Sequence, residues 1–149
     1  MLRALEKILT DELTHMGFTL WGIEVDYRSH VKRILVYIEN SSHISIKDCQ
    51  SVHNFVSIVI KIKKIVKDPY IIEVSSPGLN RKFFKDSQYN NYLGHTLKVK
   101  FLGNDGKFMT IKGLLIRTSK ESIFLEDNNK ELEIYFKSIK KGSLEITEV

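Results

Sequence analysis

The sequence predicts an α+β protein of two modules, an α-β-β-α-β two-layer unit over residues 1–82 followed by a small β-barrel over residues 83–149. Three observations predict it. In the first half, apolar residues recur at helical spacing in two stretches, with alternating stretches beside them. Beyond Gly94 the period changes from helical to alternating. Between the halves, Glu73-Val74-Ser75-Ser76-Pro77-Gly78-Leu79-Asn80-Arg81 carries a β-branched run into a constrained turn. Periods near 3.6 and 2 distinguish an amphipathic helix from a half-buried strand, and a change of period at a turn marks a change of module.

The elements follow in order. Leu2, Leu5, Leu9, Leu13 and Met16 recur at three- and four-residue steps, and Gly17 follows as a C-terminal stop, so the chain opens with a helix. Ile23, Val25 and Tyr27 alternate with Glu24 and Asp26, and Ile34, Val36 and Ile38 alternate with Leu35 and Tyr37. The polar stretch Arg28 to Arg33 between them makes an antiparallel hairpin. Ser45 followed by Asp48 matches a capping box. Ile46, Cys49, Val52, Val56, Val59 and Lys63 then share a helical face, and the helix should run to about Lys64. Asp68-Pro69 interrupts the pattern, and Tyr70 to Ser75 is a third strand. In the second module Asp86 caps a short helix through Tyr92, with Gly94 as its stop. Leu97, Val99 and Phe101 alternate with Lys98 and Lys100, and Phe108 to Arg117 is a longer strand bent at Gly113. Ile123 to Glu126 and Leu132 to Phe136 flank a turn, and Leu144 to Ile146 closes a five-stranded unit. Short strands with tight turns favour a barrel, which leaves little sheet edge exposed.

Composition narrows the function classes. Lys and Arg number 23 against 18 Asp and Glu, a formal charge of +5. Divided after Lys82, the halves carry +3 and +2, so the charge is not a basic tail and weakly favours an anionic partner. The single Cys49 excludes an internal disulfide framework and a cysteine-rich zinc module, and fits a reducing, cytoplasmic setting. No apolar run approaches the roughly 18 residues of a membrane span, and the helical period at the start argues against a signal peptide. The histidines His15, His30, His43 and His95 show no metal-ligand spacing, and neither a metal nor a cofactor is expected.

The junction holds the most informative chemistry. Pro77 fixes its own φ and extends Ser76, while Gly78 accepts the positive φ of a tight turn. Ser75 and Ser76 bring hydroxyls and Arg81 a forked donor, a set that suits phosphate or carboxylate, although turn chemistry alone also uses these residue types. Cys49 and His53 are four apart on one helical face, the arrangement of an activated thiol, but Cys49 lies on the apolar stripe and reads as core. Glu24 and Asp26 share a side of a strand, a solvated sheet face that also suits a basic protein. Lys82, Lys98, Lys100, Lys140 and Lys141 are candidate RNA contacts, and form one patch only if the fold gathers them. Tyr89, Tyr92, Phe101 and Tyr135 are candidates to stack on unpaired bases, with a core role the commoner fate of such residues.

With this order established, the chain resembles the bacterial ribosome maturation factor RimP family over essentially its full length. The resemblance rests on Glu73-Val74-Ser75-Ser76-Pro77-Gly78-Leu79 at the junction, Met16-Gly17-Phe18, Ile23-Glu24-Val25, Ile44-Ser45-Ile46-Lys47-Asp48-Cys49, and Leu132-Glu133-Ile134 followed by Ile139-Lys140-Lys141. Where the family usually continues with Asp, Arg and Pro, this chain has Asn80, Arg81 and Lys82, which keeps the cation and loosens the exit of the turn.

The resemblance implies an SH3-like or Sm-like C-terminal barrel and a non-catalytic role in maturing the small (30S) ribosomal subunit. It also implies, as partners, the immature 30S subunit, through its 16S rRNA and a small-subunit ribosomal protein near the decoding region. No membrane or small-molecule substrate is expected, and a monomer is. The rival from another class is a free-standing Sm-like RNA-binding protein, which would need a stable ring and is separated by a sizing measurement.

Overall fold

The computed structural model describes residues 2–146, so the outermost ends of the two expected modules lie outside the described residues. The chain divides between Pro77 and Gly78 into two compact units.

The first unit runs α1 (Leu2–His15), β1 (Thr19–Arg28), β2 (Val31–Glu39), α2 (Ile46–Lys63) and β3 (Tyr70–Ser75). Its sheet has the order β1-β2-β3, antiparallel between β1 and β2 and parallel between β2 and β3. Leu5, Leu9 and Leu13 of α1 and Val52, Val56 and Ile60 of α2 meet Ile23, Ile34, Val36, Ile38 and Ile72 in a single core. Both helices therefore cover one face of the sheet, since strand residues of one parity point to one side. Helix α1 ends in a Schellman motif: Phe18 N–H donates to Leu13 C=O at 2.9 Å and Gly17 N–H to Thr14 C=O at 3.1 Å, with Gly17 at φ +89°. The hairpin turn is tighter than the sequence suggests. Only Ser29 and His30 lie between the strands, with φ of 50° and 67°, the left-handed pair that matches strand twist.

Helix α2 begins as expected. Ser45 Oγ accepts from Asp48 N–H at 3.1 Å, and the Asp48 carboxylate accepts from Ser45 N–H at 2.9 Å. That second bond is the largest cause holding the Asp48 carboxyl below its ordinary range. A depressed folded-state pKa stabilises the fold fully above the ordinary aspartate value, and the gain is lost as pH falls through the folded one. The stability difference between the natural chain and Asp48→Asn is thus expected to shrink as solutions are acidified below about pH 4. Ser45→Ala is expected to cost about 1 kcal/mol at neutral pH. Urea unfolding followed by circular dichroism checks both, and a Ser45→Ala midpoint equal to that of the natural chain would contradict the cap. The buried stripe of α2 differs from the expected one at its ends: Ile46 is 81% exposed and Ile60, not Lys63, completes the stripe. Ile46 occupies the first helical position, where the side chain lies beyond the edge of the core.

The second unit contains β4 (Lys82–Phe83), a 3₁₀ helix (Asp86–Tyr92), β5 (Thr96–Leu102), β6 (Phe108–Thr118), β7 (Ser122–Asp127), β8 (Lys130–Tyr135), a 3₁₀ turn (Phe136–Ser138) and β9 (Ile139–Leu144). The sheet order β4-β9-β5-β6-β7-β8 is antiparallel throughout, with β4 and β8 at its edges. It has six strands rather than five, and its hydrogen bonding does not close into a barrel. The last strand is Ile139–Leu144 instead of Leu144–Ile146, and the 3₁₀ helix is capped not by Asp86 but by the Gln88 side chain, which accepts from Phe84 N–H at 2.7 Å and Lys85 N–H at 3.1 Å. The register irregularity of β6 falls between Leu115 and Arg117, and Gly113, where β6 passes from pairing with β5 to pairing with β7, admits the Glu126 backbone closely. Leu97, Val99, Phe101, Leu115, Ile123, Leu125, Ile134 and Leu144 form the core around the buried Tyr89.

Candidate nucleic-acid interface

Strand register decides which lysines meet. On β5, Lys98 lies opposite Lys112 of β6 and Ser143 of β9, and Lys100 lies opposite Thr110 and Lys141. Cross-strand partners project to the same face of an antiparallel pair, so Lys98, Lys100 and Lys141 share the side away from the core. A bulge between Lys100 and Phe101 adds Lys140 to that side. Its Nζ lies 4.8 Å from the centroid of the Phe108 ring, and Lys100 Nζ lies 5.5 Å from the same centroid. Lys82 of β4, opposite Ser143, extends the row. A shallow cavity of about 280 Å³ lies among Lys98, Lys100, Lys141, Thr110 and Ser143. Glu145 is paired into this group, 3.0 Å from Lys112 Nζ. Ammonium groups beside two hydroxyls suit phosphate oxygens.

The turn residues have other occupations. Gly78 takes φ +81°, as the sequence requires, and the Ser75 hydroxyl donates to the Ser76 carbonyl at 2.9 Å. The Arg81 guanidinium sits 5.7 Å from the Tyr92 ring centroid and does not join the lysine rows, while its carbonyl accepts from Leu144 N–H at 2.9 Å. Asn80, the departure from the family pattern, accepts from Ile146 N–H through Oδ1 at 3.0 Å and so ties down the chain after β9.

In the first unit, Glu24 and Asp26 lie on the sheet face turned away from the helices, and Glu73 joins them. Arg33 stands among the carboxylates, 3.2 Å from Asp26 and 3.7 Å from Glu73. Tyr37 donates its hydroxyl to Glu24 at 3.0 Å, and burial, reinforced by that carboxylate, pushes its pKa up to about 12. Three carboxylates around one guanidinium leave this face acidic. Sequence alternation finds Glu24 and Asp26 but not Glu73 or the neutralising Arg33, because those neighbours are set by register.

The remaining candidates resolve in the same way. Cys49 is half-buried, and burial followed by the Asp48 charge raises its thiol pKa, opposite to the shift an activated nucleophile needs. Tyr89 and Phe101 are core residues, 4% and 8% exposed. Tyr135 is exposed, as is Phe108, an aromatic that alternation marks only as a strand residue. Among the described residues, no helix is long and apolar enough to cross a membrane.

Residues 8–80 match the family model of the RimP N-terminal domain, a span that takes in α1 from its second turn, the three-stranded sheet, α2 and the turn at Gly78. On this match the chain belongs to the RimP family, whose members are maturation factors for the small ribosomal subunit.

Proposed function

We propose that this chain is a non-catalytic, cytoplasmic assembly factor that works as a monomer and holds the immature 30S subunit through two chemically different surfaces. The lysine face of the second unit contacts 16S rRNA. The acidic sheet face of the first unit receives a basic small-subunit protein near the decoding region. The observation that carries the reading is the convergence of Lys98, Lys100, Lys140 and Lys141 on one side of a sheet. Moderate positive charge binds RNA through counterion release while leaving the complex reversible. The SH3-like character of the second unit is part of the same proposal. It is supported by the return of β9 to pair with β5 and by the 3₁₀ turn just before β9.

Sedimentation of the purified chain with precursor and mature small subunits tests this. Recovery with precursors at low salt, as a monomer by sizing, is expected. Failure to recover either precursor particles or small-subunit proteins refutes it. Glu24→Lys combined with Asp26→Lys is expected to lower capture of the ribosomal protein at least tenfold, because like charges across an interface cost several kcal/mol, while RNA binding is kept. Unchanged capture would remove the acidic face from the proposal.

A further inference from the structure

We infer that the lysine face recognises unpaired RNA, with Phe108 as a platform on which a base stacks and the lysine rows as its phosphate track. The inference rests on the RNA-contacting reading above and adds the class of RNA and an aromatic residue. Phe108 is 52% exposed at the start of β6, opposite Leu102, and shares the outward side with Lys100 and Thr110. This large aromatic, half in water and outside the core of its unit, stands two residues along β6 from Thr110, which lines a cavity together with three lysines and Ser143.

The two ammonium groups near its ring do not block a base. An exposed cation–π contact is worth a factor of about two to five in an equilibrium constant, whereas stacking of a base on an aromatic side chain is worth about five to one hundred and fifty. A base therefore displaces a lysine from the ring, and the released ammonium reaches the adjoining phosphate. Double-stranded RNA cannot use this arrangement, because its bases are already stacked and only its backbone and minor groove are offered. Two other exposed aromatics have a lysine nearby: Tyr27, 5.7 Å from Lys32 Nζ, stands on β1 of the first unit, apart from the lysine face, and Tyr135 lies beside a cavity whose lining includes Asp86 and Glu121, which repel phosphate.

The test uses the full chain, a short fluorescein-labelled oligouridylate and an RNA duplex of the same length, followed by anisotropy at several salt concentrations. Phe108→Ala is expected to weaken oligouridylate binding about tenfold with the salt slope unchanged, and to leave duplex binding alone. Phe108→Trp is expected to keep the affinity and to show quenching of the new tryptophan on binding. Thermal melting of both variants confirms that the fold is intact. Equal affinity of the natural chain and Phe108→Ala for the oligouridylate overturns the inference, as does duplex binding as tight as single-strand binding. If the chain sediments with precursor particles but does not bind the oligouridylate, the inference falls while the assembly-factor reading stands.

Discussion

Gly142→Ala is expected to be the most damaging single-methyl change in the second unit. Gly142 lies on the inward side of β9, and a Cβ there would enter the space of the Tyr89 hydroxyl and come within 3.0 Å of Tyr89 Cζ. Tyr89 has little room to yield: it is 4% exposed, stacked on Phe83 with ring centroids 4.3 Å apart, and tilted against Phe136 at 5.5 Å. Overpacking of this kind costs about 1–3 kcal/mol, and the rigid aromatic neighbourhood places this case near the upper end. For a unit of this size the melting temperature should fall by about 10–20 °C. Tyr89→Phe in the Gly142→Ala background should recover part of the loss, since it removes the clashing oxygen but not the ring carbon. A double-mutant cycle measures the coupling. Additive effects, or a Gly142→Ala melt coincident with that of the natural chain, would show that the ring is not held as described.

The second large effect is expected at the lysine face. Replacing Lys98, Lys100, Lys140 and Lys141 together by glutamine removes up to four phosphate contacts. For single-stranded RNA the slope of log K against log salt should become shallower by about 3, with a loss of affinity on the order of 10²–10³-fold near 0.1 M salt. A control with Lys7, Lys61, Lys67 and Lys120 changed to glutamine alters net charge equally at exposed sites outside this face. It should lose much less. Anisotropy titrations of the two variants over a salt series decide the matter. Equal losses would mean that the chain binds through overall charge and not through a surface.

The contrast between these sites shows what could be seen in the letters alone. Helix α1, the hairpin strands and the Ser45–Asp48 box were legible because each is a local pattern: apolar spacing, alternation, or one side chain reaching three residues along. Lys98 and Lys100 were legible as neighbours on one face for the same reason. Their meeting with Lys140 and Lys141 was not, because it depends on the pairing of β5 with a strand about forty residues later. Strand β9 itself was misplaced, since Ile139-Lys140-Lys141-Gly142-Ser143-Leu144 lacks alternation: two lysines stand together at the bulge, and the inward position between them and Leu144 is a glycine. The two-residue β4 is too short to show any period. Ile46 misled in the opposite way, an isoleucine in phase with the stripe that lies past the end of the core.

The extra residue of β9 opposite the Lys100–Phe101 step gives the strand's length a meaning separate from its composition. With it, two consecutive cations emerge on one side while Ile139 and Gly142 both turn inward. Excising either lysine would restore a regular ladder and leave a single cation there. Chain length at this point thus sets how many charges the surface displays, and relatives that keep the lysines but lack the inserted position would present a different electrostatic face on the same sheet.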